Sequence, residues 1–264
     1  MTSSDPASRD ARSRSFGAVA EEYDAYRPAL PPEFVAAVGL HEGELIIDLA
    51  AGTGLATRTL HDAGLHVIAV EPDAEMRTIL QRRSPTLDVR DGVGEAIPVS
   101  DNSVDAVVVV SAWHWMDHEK VLGEVARVLR DDGLLIIAWN GADQRVDWVE
   151  SLFELRRPYR FRDGDERHHP RSVVLPANTP FTFVVDDAVC WQWPRTVDDI
   201  ERLFTTFSGV LTASADERDD ILTQVRRHAR EHVDARGMVN LPMWARYWVG
   251  RRVPRPTPTR HNLA

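Results

Sequence analysis

Ile46-Ile47-Asp48-Leu49-Ala50-Ala51-Gly52-Thr53-Gly54 is the stretch that decides the fold. An apolar run suited to a buried strand passes directly into a turn of small residues, and Leu55–Ala63 continues at helical spacing. Small side chains in such a turn let backbone N–H groups come close to a ligand, and the helix N-terminus that follows favours anionic groups. Two spacings compete for this turn. The dinucleotide fingerprint G-x-G-x-x-G would need glycines at 50, 52 and 55, where the chain has Ala50, Gly52 and Leu55. A small-x-Gly-x-Gly pattern at Ala50, Gly52 and Gly54 is met. The spacing speaks against a NAD-dependent oxidoreductase, which remains only as an alternative.

The same rhythm continues outward from this turn. His66–Glu71 reads as a second strand, Ala74–Arg83 as a helix and Thr86–Arg90 as a weaker third strand. Val104–Val110 is apolar almost throughout, His118–Arg130 carries its apolar residues on one helical face, and Leu134–Trp139 is a fifth strand introduced by the turn Asp131-Asp132-Gly133. Apolar strands separated by helices indicate a parallel sheet covered on both faces, an α/β fold. Beyond Asn140 the pattern changes. Asp143–Tyr159 reads as helical, Phe161–Pro180 as irregular, Phe181–Trp193 as extended, Val197–Phe207 and Ala215–Ala235 as helices, and Met238–Gly250 as extended. The expected organisation is a tail over 1–14, a Rossmann-like core with an opening helix over 15–142, a substrate-side insertion with sheet-completing strands over 143–253, and a second tail over 254–264.

Composition narrows the function. The chain has 264 residues and a net charge of −10, which argues against a protein built to coat nucleic acid. Its single cysteine, Cys190, excludes an intramolecular disulfide framework and a multi-thiolate zinc site. Lys120 is the only lysine and follows Glu119, so Walker-type phosphate binding is excluded. Residues 1–14 do not have the form of a signal peptide, and no apolar run approaches the roughly 20 residues of a membrane helix. A cytoplasmic protein with no membrane or nucleic-acid partner is expected.

The chain from Phe16 to Arg252 resembles the class I S-adenosylmethionine-dependent methyltransferases, in the small-molecule branch of methyltransferase type 11. The first motif is Asp48 followed by Ala50-x-Gly52-x-Gly54. A further match is the opening Phe16-Gly17-x-Val19-Ala20-x-x-Tyr23-Asp24-x-Tyr26-Arg27-Pro28. Another is Asp101-Asn102-Ser103-Val104-Asp105 leading into the apolar run Ala106–Val110, with Trp113-His114-Trp115 after strand four and then Glu124–Asn140. The segments 181–210 and 240–252 are similar to the tail of trans-aconitate methyltransferases.

The resemblance implies a Rossmann-like three-layer sandwich around a mostly parallel seven-stranded sheet. Its last strand is antiparallel and inserted beside strand five, with Asn240–Gly250 as the candidate. It implies S-adenosyl-L-methionine as cofactor, S-adenosyl-L-homocysteine as product, and methyl transfer to a small-molecule acceptor (O, N or carboxylate) by in-line attack. Asp48, Ala50, Gly52 and Gly54 would form the cofactor turn. Glu71 would accept hydrogen bonds from the ribose diol, because a carboxylate suits two vicinal hydroxyls. Pro72 and Met76 would pack on adenine, and Gly92, Val93 and Glu95 would line its edge, Val93 through its backbone. Tyr26, Arg27, Ser111 and Trp113 complete the expected cofactor set, with the opening helix 16–38 and the insertion 143–180 as cover. His114 is the candidate base, since its reference pKa lies near neutrality, and Tyr23 a second candidate catalytic group. A non-catalytic module that keeps the cofactor fold is the other alternative.

Several residues invite plainer readings. His114, Asp117 and His118 lack a third strong metal ligand, so no metal site is expected. His168-His169 falls in a polar, solvated loop. Most of the tryptophans are expected in the core, with Trp148 and Trp244 as candidates for a cavity wall. The arginine pairs Arg156-Arg157, Arg226-Arg227 and Arg251-Arg252 read as solvated surface.

Overall fold

The computed structural model describes residues 20–156, 173, 175, 176 and 178–254. The two expected tails (apart from Pro254), the start of the opening segment at Phe16, and most of the polar loop carrying His168-His169 lie outside the described residues. In chain order the elements are α1 (Ala20–Tyr26), α2 (Glu33–Ala37), β1 (Leu45–Leu49), α3 (Leu55–Asp62), β2 (His66–Val70), α4 (Ala74–Arg83), β3 (Asp88–Arg90) and β4 (Val104–Val110). A short 3-10 turn, Trp113–Trp115, leads to α5 (His118–Val128), β5 (Leu129–Ala142), α6 (Asp147–Glu154) and β6 (Phe181–Arg195). Helices α7 (Val197–Thr205), α8 (Ser208–Leu211) and α9 (Ala215–Arg230) precede β7 (Val239–Arg252).

The seven strands form one sheet in the order β3-β2-β1-β4-β5-β7-β6. The first five pair in parallel, while β7 runs antiparallel to both β5 and β6. This is the expected mostly parallel sheet with its last strand inserted beside strand five. The central strands are buried on both faces, which is why their sequences read as apolar runs rather than alternations. Ile47, Leu49, Val107, Val109 and Ile137 face a cluster with Val121, Leu122 and Val125 of α5. The alternate residues Ile46, Ala106, Val108 and Ile136 pack with Phe34 of α2 and Leu60 of α3. A separate cluster joins α6, α7 and α9 to the first half of β7 through residues such as Phe153, Phe204, Val225 and Leu241.

Four expectations need correcting. The opening segment is not one helix over 16–38: α1 ends at Tyr26 and α2 begins at Glu33. Pro28, Pro31 and Pro32 lie between them, and proline both lacks the N–H a helix needs and disfavours helical geometry in the residue before it. The expected turn Asp131-Asp132-Gly133 lies inside a longer β5. Val104 pairs with Leu129 and Ala106 with Leu134, so the extra residues form a bulge, with Asp132 at φ 64. Helix α9 stops at Arg230 rather than running to Ala235. There the Asp234 carboxylate accepts the backbone N–H groups of Arg236 and Met238 and turns the chain back into β7. Helix α6 begins at Asp147 rather than Asp143, because the Asp143 N–H still donates to the carbonyl of Pro242 (2.8 Å) beside β7.

Candidate functional site

At the end of β1 the backbone enters left-handed geometry at alternate residues: Ala50 (φ 58), Gly52 (φ 58) and Gly54 (φ 87). A side chain costs roughly 1–2 kcal/mol there, so Ala50 is held against its preference by its surroundings. The turn is tied down by Ala51 N–H to the carbonyl of Val70 (3.1 Å) and Gly54 N–H to that of Ala51 (3.0 Å). The two glycines are needed for different reasons. A Cβ at Gly54 would lie 2.8 Å from Leu80 Cγ, whereas at Gly52 it would meet nothing within 4 Å. Gly54 serves packing, and Gly52 leaves open space over the turn. Between them Thr53 is 1% exposed, and its Oγ1 has no hydrogen-bond partner.

Two buried carboxylates flank the turn. Asp48 accepts a hydrogen bond from Thr57 Oγ1 (2.5 Å), and burial pushes its pKa up to about 6 despite that bond, with the Glu71 charge adding to the rise. Glu71 accepts the Gly52 N–H on Oε2 and the Asp73 N–H on Oε1, both at 2.8 Å. Burial raises its pKa, opposed by those two bonds. Glu71 therefore couples the end of β2 to the β1 turn.

A cavity of about 240 Å³ opens at the C-terminal ends of β1, β4 and β5, the edge where open α/β sheets bind ligands. Of the expected site residues, Tyr23, Arg27, Asp48, Ala50, Gly52 and Ser111 line it. Sequence reasoning missed Asn140, Phe153, Arg156 and Phe207, which line it too. Asn140 donates through Nδ2 to the carbonyls of Pro28 (3.1 Å) and Ala29 (2.8 Å), while its buried Oδ1 has no partner. Its place at the carboxyl end of strand five was a usable signal. Arg156 had none, and the expectation of a solvated arginine is corrected: packing around its guanidinium depresses its pKa to about 10.

The other expected residues lie elsewhere. Met76 is buried against Ala20 and Ile79, and Pro72, though exposed, accepts a bond from Arg77 at its carbonyl (2.6 Å). Gly92 is required by space, since a Cβ would lie 2.6 Å from Pro98 Cδ. Val93 is 43% exposed, and Glu95 accepts the Asp117 N–H at 2.8 Å. These residues group around the ends of β2 and β3, next to Glu71. Tyr26 lies under the guanidinium of Arg202 at 5.4 Å. Trp113 is buried, stacked on His118 at 4.6 Å, and the His114 ring is tilted against Trp115 at 4.6 Å. Neither Trp113 nor His114 lines the cavity. Nor do Trp148, which stacks on His232, and Trp244, which lies under Arg145. Among the described residues no three His, Cys, Asp or Glu side chains are grouped to hold a metal ion. No helix among them is long and apolar enough to cross a membrane.

The strand order and the antiparallel seventh strand together define a Rossmann-like fold. Residues 47–137 match the family model described as a methyltransferase domain. An uncharacterised methyltransferase of Mycobacterium tuberculosis is 39% identical over 225 residues, covering 85% of this chain and 89% of that protein. An uncharacterised methyltransferase-like protein of Schizosaccharomyces pombe is 33% identical over 226 residues, covering 82% and 86%. Among solved structures, a candidate type II methyltransferase from Anaeromyxobacter dehalogenans superposes with a TM-score of 0.64 at 21% identity, covering 87% of this chain and 99% of that one. The chain belongs to the class I methyltransferase family.

Proposed function

We propose that this chain moves the methyl group of S-adenosyl-L-methionine to a small-molecule acceptor held in the cavity, leaving S-adenosyl-L-homocysteine. The observation that carries this reading is the β1 turn. Its left-handed backbone leaves open space over Gly52, its buried Thr53 hydroxyl lacks a partner, and it is bonded to Glu71 at the end of β2. A turn of this form fits a ligand that reaches from the cavity towards β2.

When bound, the cofactor would supply an electrophilic sulfonium methyl group with a neutral thioether as its leaving group. The chain contributes alignment and exclusion of water. The turn at Ala50 and Gly52 would lie against the ligand beside Asp48, with Gly54 fixing the shape of the turn through its bond to Ala51. Glu71 keeps lone pairs beyond its two backbone bonds for a vicinal diol. Pro72, Met76, Gly92, Val93 and Glu95 form the adenine side. Arg27 takes the carboxylate of the methionine moiety, and Tyr23 and Ser111 close the cavity around it. The reading assigns no proton transfer to His114, whose ring packs on Trp115. Methyl-labelled cofactor incubated with the protein and fractionated cell extract tests the proposal. Label in the small-molecule fraction is expected. Label only in protein or nucleic acid overturns the acceptor class, and cofactor binding without turnover in any fraction favours a non-catalytic module.

A further inference from the structure

Two guanidinium groups stand in the wall of the cavity with no carboxylate of the described residues beside them. Arg27 donates from Nε to Thr206 Oγ1 (2.8 Å) and from Nη2 to the Thr206 carbonyl (3.0 Å). Arg156 donates from Nε to the Phe153 carbonyl (3.0 Å) and, at 3.5 Å, from Nη2 to Gln144 Oε1. Among the described residues neither forms an ion pair, and neither uses Nη1. Both lie against one ring: their Cζ atoms are 4.0 and 4.6 Å from the Phe207 centroid. Both residues keep part of their surface, and both line the cavity, yet packing depresses each pKa, with Arg27 adding to the effect at Arg156. At neutral pH both remain charged.

Burying a cation without a partner is costly, and two adjacent ones add repulsion. Such a pair is retained where ligands neutralise it. The cofactor reading supplies one carboxylate, assigned to Arg27, and leaves Arg156 without an anion. We infer that Arg156 is the receptor for a carboxylate on the methyl acceptor, so the acceptor is a small organic acid whose apolar body lies against Phe153 and Phe207. This rests on the function proposed above. The planar guanidinium edge suits a planar carboxylate. Arg156 follows the C-terminal end of α6, whose carbonyl groups oppose negative charge, so the single charge of a carboxylate is accommodated at less cost than a phosphate dianion.

The test uses the full chain, with and without S-adenosylhomocysteine. Calorimetry measures phenylacetate, succinate and hexanoate, each against its amide, and phenyl phosphate against phenylacetate. At least one carboxylate is expected to bind tenfold or more tighter than its amide. Arg156→Gln should weaken that carboxylate tenfold or more while leaving the amide and S-adenosylhomocysteine within twofold, and Arg156→Lys should restore part of the loss. Arg156→Met, which removes a partly buried charge that has no carboxylate beside it among the described residues, should fold and raise Tm by about 2–4 °C; a Tm below wild type would overturn the view that the charge is kept for a ligand. No preference for carboxylate over amide in any pair overturns the inference, as does tighter phenyl phosphate. So does a tenfold loss of S-adenosylhomocysteine in Arg156→Gln, which would place the cofactor carboxylate there. Carboxylate preference in a protein that does not bind S-adenosylhomocysteine upholds the anion site and rejects the cofactor reading instead.

Discussion

Replacing Asp48 with asparagine should change how stability depends on pH. Asp48 is 1% exposed, and its pKa in the fold is about 6 against an unfolded value near 3.8. Between those values the folded state binds the extra proton, so ionising Asp48 costs stability as pH rises through the window. A shift of about two units corresponds to about 3 kcal/mol in total, of which about 2 kcal/mol falls between pH 4.5 and 7. Urea unfolding of wild type and Asp48→Asn, both without cofactor, measures it. Asparagine can still accept the Thr57 hydroxyl bond but carries no titrating charge. The stability of Asp48→Asn relative to wild type should therefore improve by about 2 kcal/mol from pH 4.5 to 7. Parallel profiles for the two proteins would refute the reasoning. They would mean that Asp48 titrates alike in the folded and unfolded chain.

Three further substitutions test how the site is held. Gly54→Ala places a Cβ 2.8 Å from Leu80 Cγ at φ 87, so it should cost about 2–4 kcal/mol in urea unfolding, and an unchanged midpoint would contradict the geometry. Asn140→Ala removes both bonds to the Pro28 and Ala29 carbonyls. Amide exchange over residues 20–30 should then accelerate while β1 is unaffected, and protection equal to wild type would show that the tie is unimportant. Asp24 pairs with Arg58 (2.5 Å) and Arg83 (3.4 Å), joining α1 to α3 and α4. Asp24→Asn should cost about 1–3 kcal/mol, less at high salt, and a loss independent of salt would assign its role to packing rather than charge.

The parallel core was legible because burial on both faces leaves β1, β2 and β4 apolar at nearly every position, a pattern that needs no knowledge of neighbours. The antiparallel end was legible mainly through resemblance, since β6 and β7 are long strands whose place in the sheet is set by pairing with distant segments. What escaped was set by single residues. Pro28 splits the opening segment, the bulge at Asp132 hides inside β5, and the Asp234 carboxylate ends α9 early. The site divides in the same way. The β1 turn is contiguous, and its small residues advertise left-handed backbone. Asn140 reaches the cavity from β5, Arg156 from just beyond α6 and Phe207 from the start of α8, and no spacing in the sequence relates them. An arginine beside another arginine looks like solvated surface until the fold packs Phe153 and Phe207 against it.

The most direct test of the central claim is calorimetric titration of the wild-type protein, Glu71→Ala and Gly52→Val with S-adenosylmethionine and S-adenosylhomocysteine. Micromolar binding by the wild type, weakened tenfold or more by each substitution in a folded protein, is the predicted result. A well-folded wild type that binds neither compound, or a Glu71→Ala protein that binds both as tightly as wild type, would contradict it.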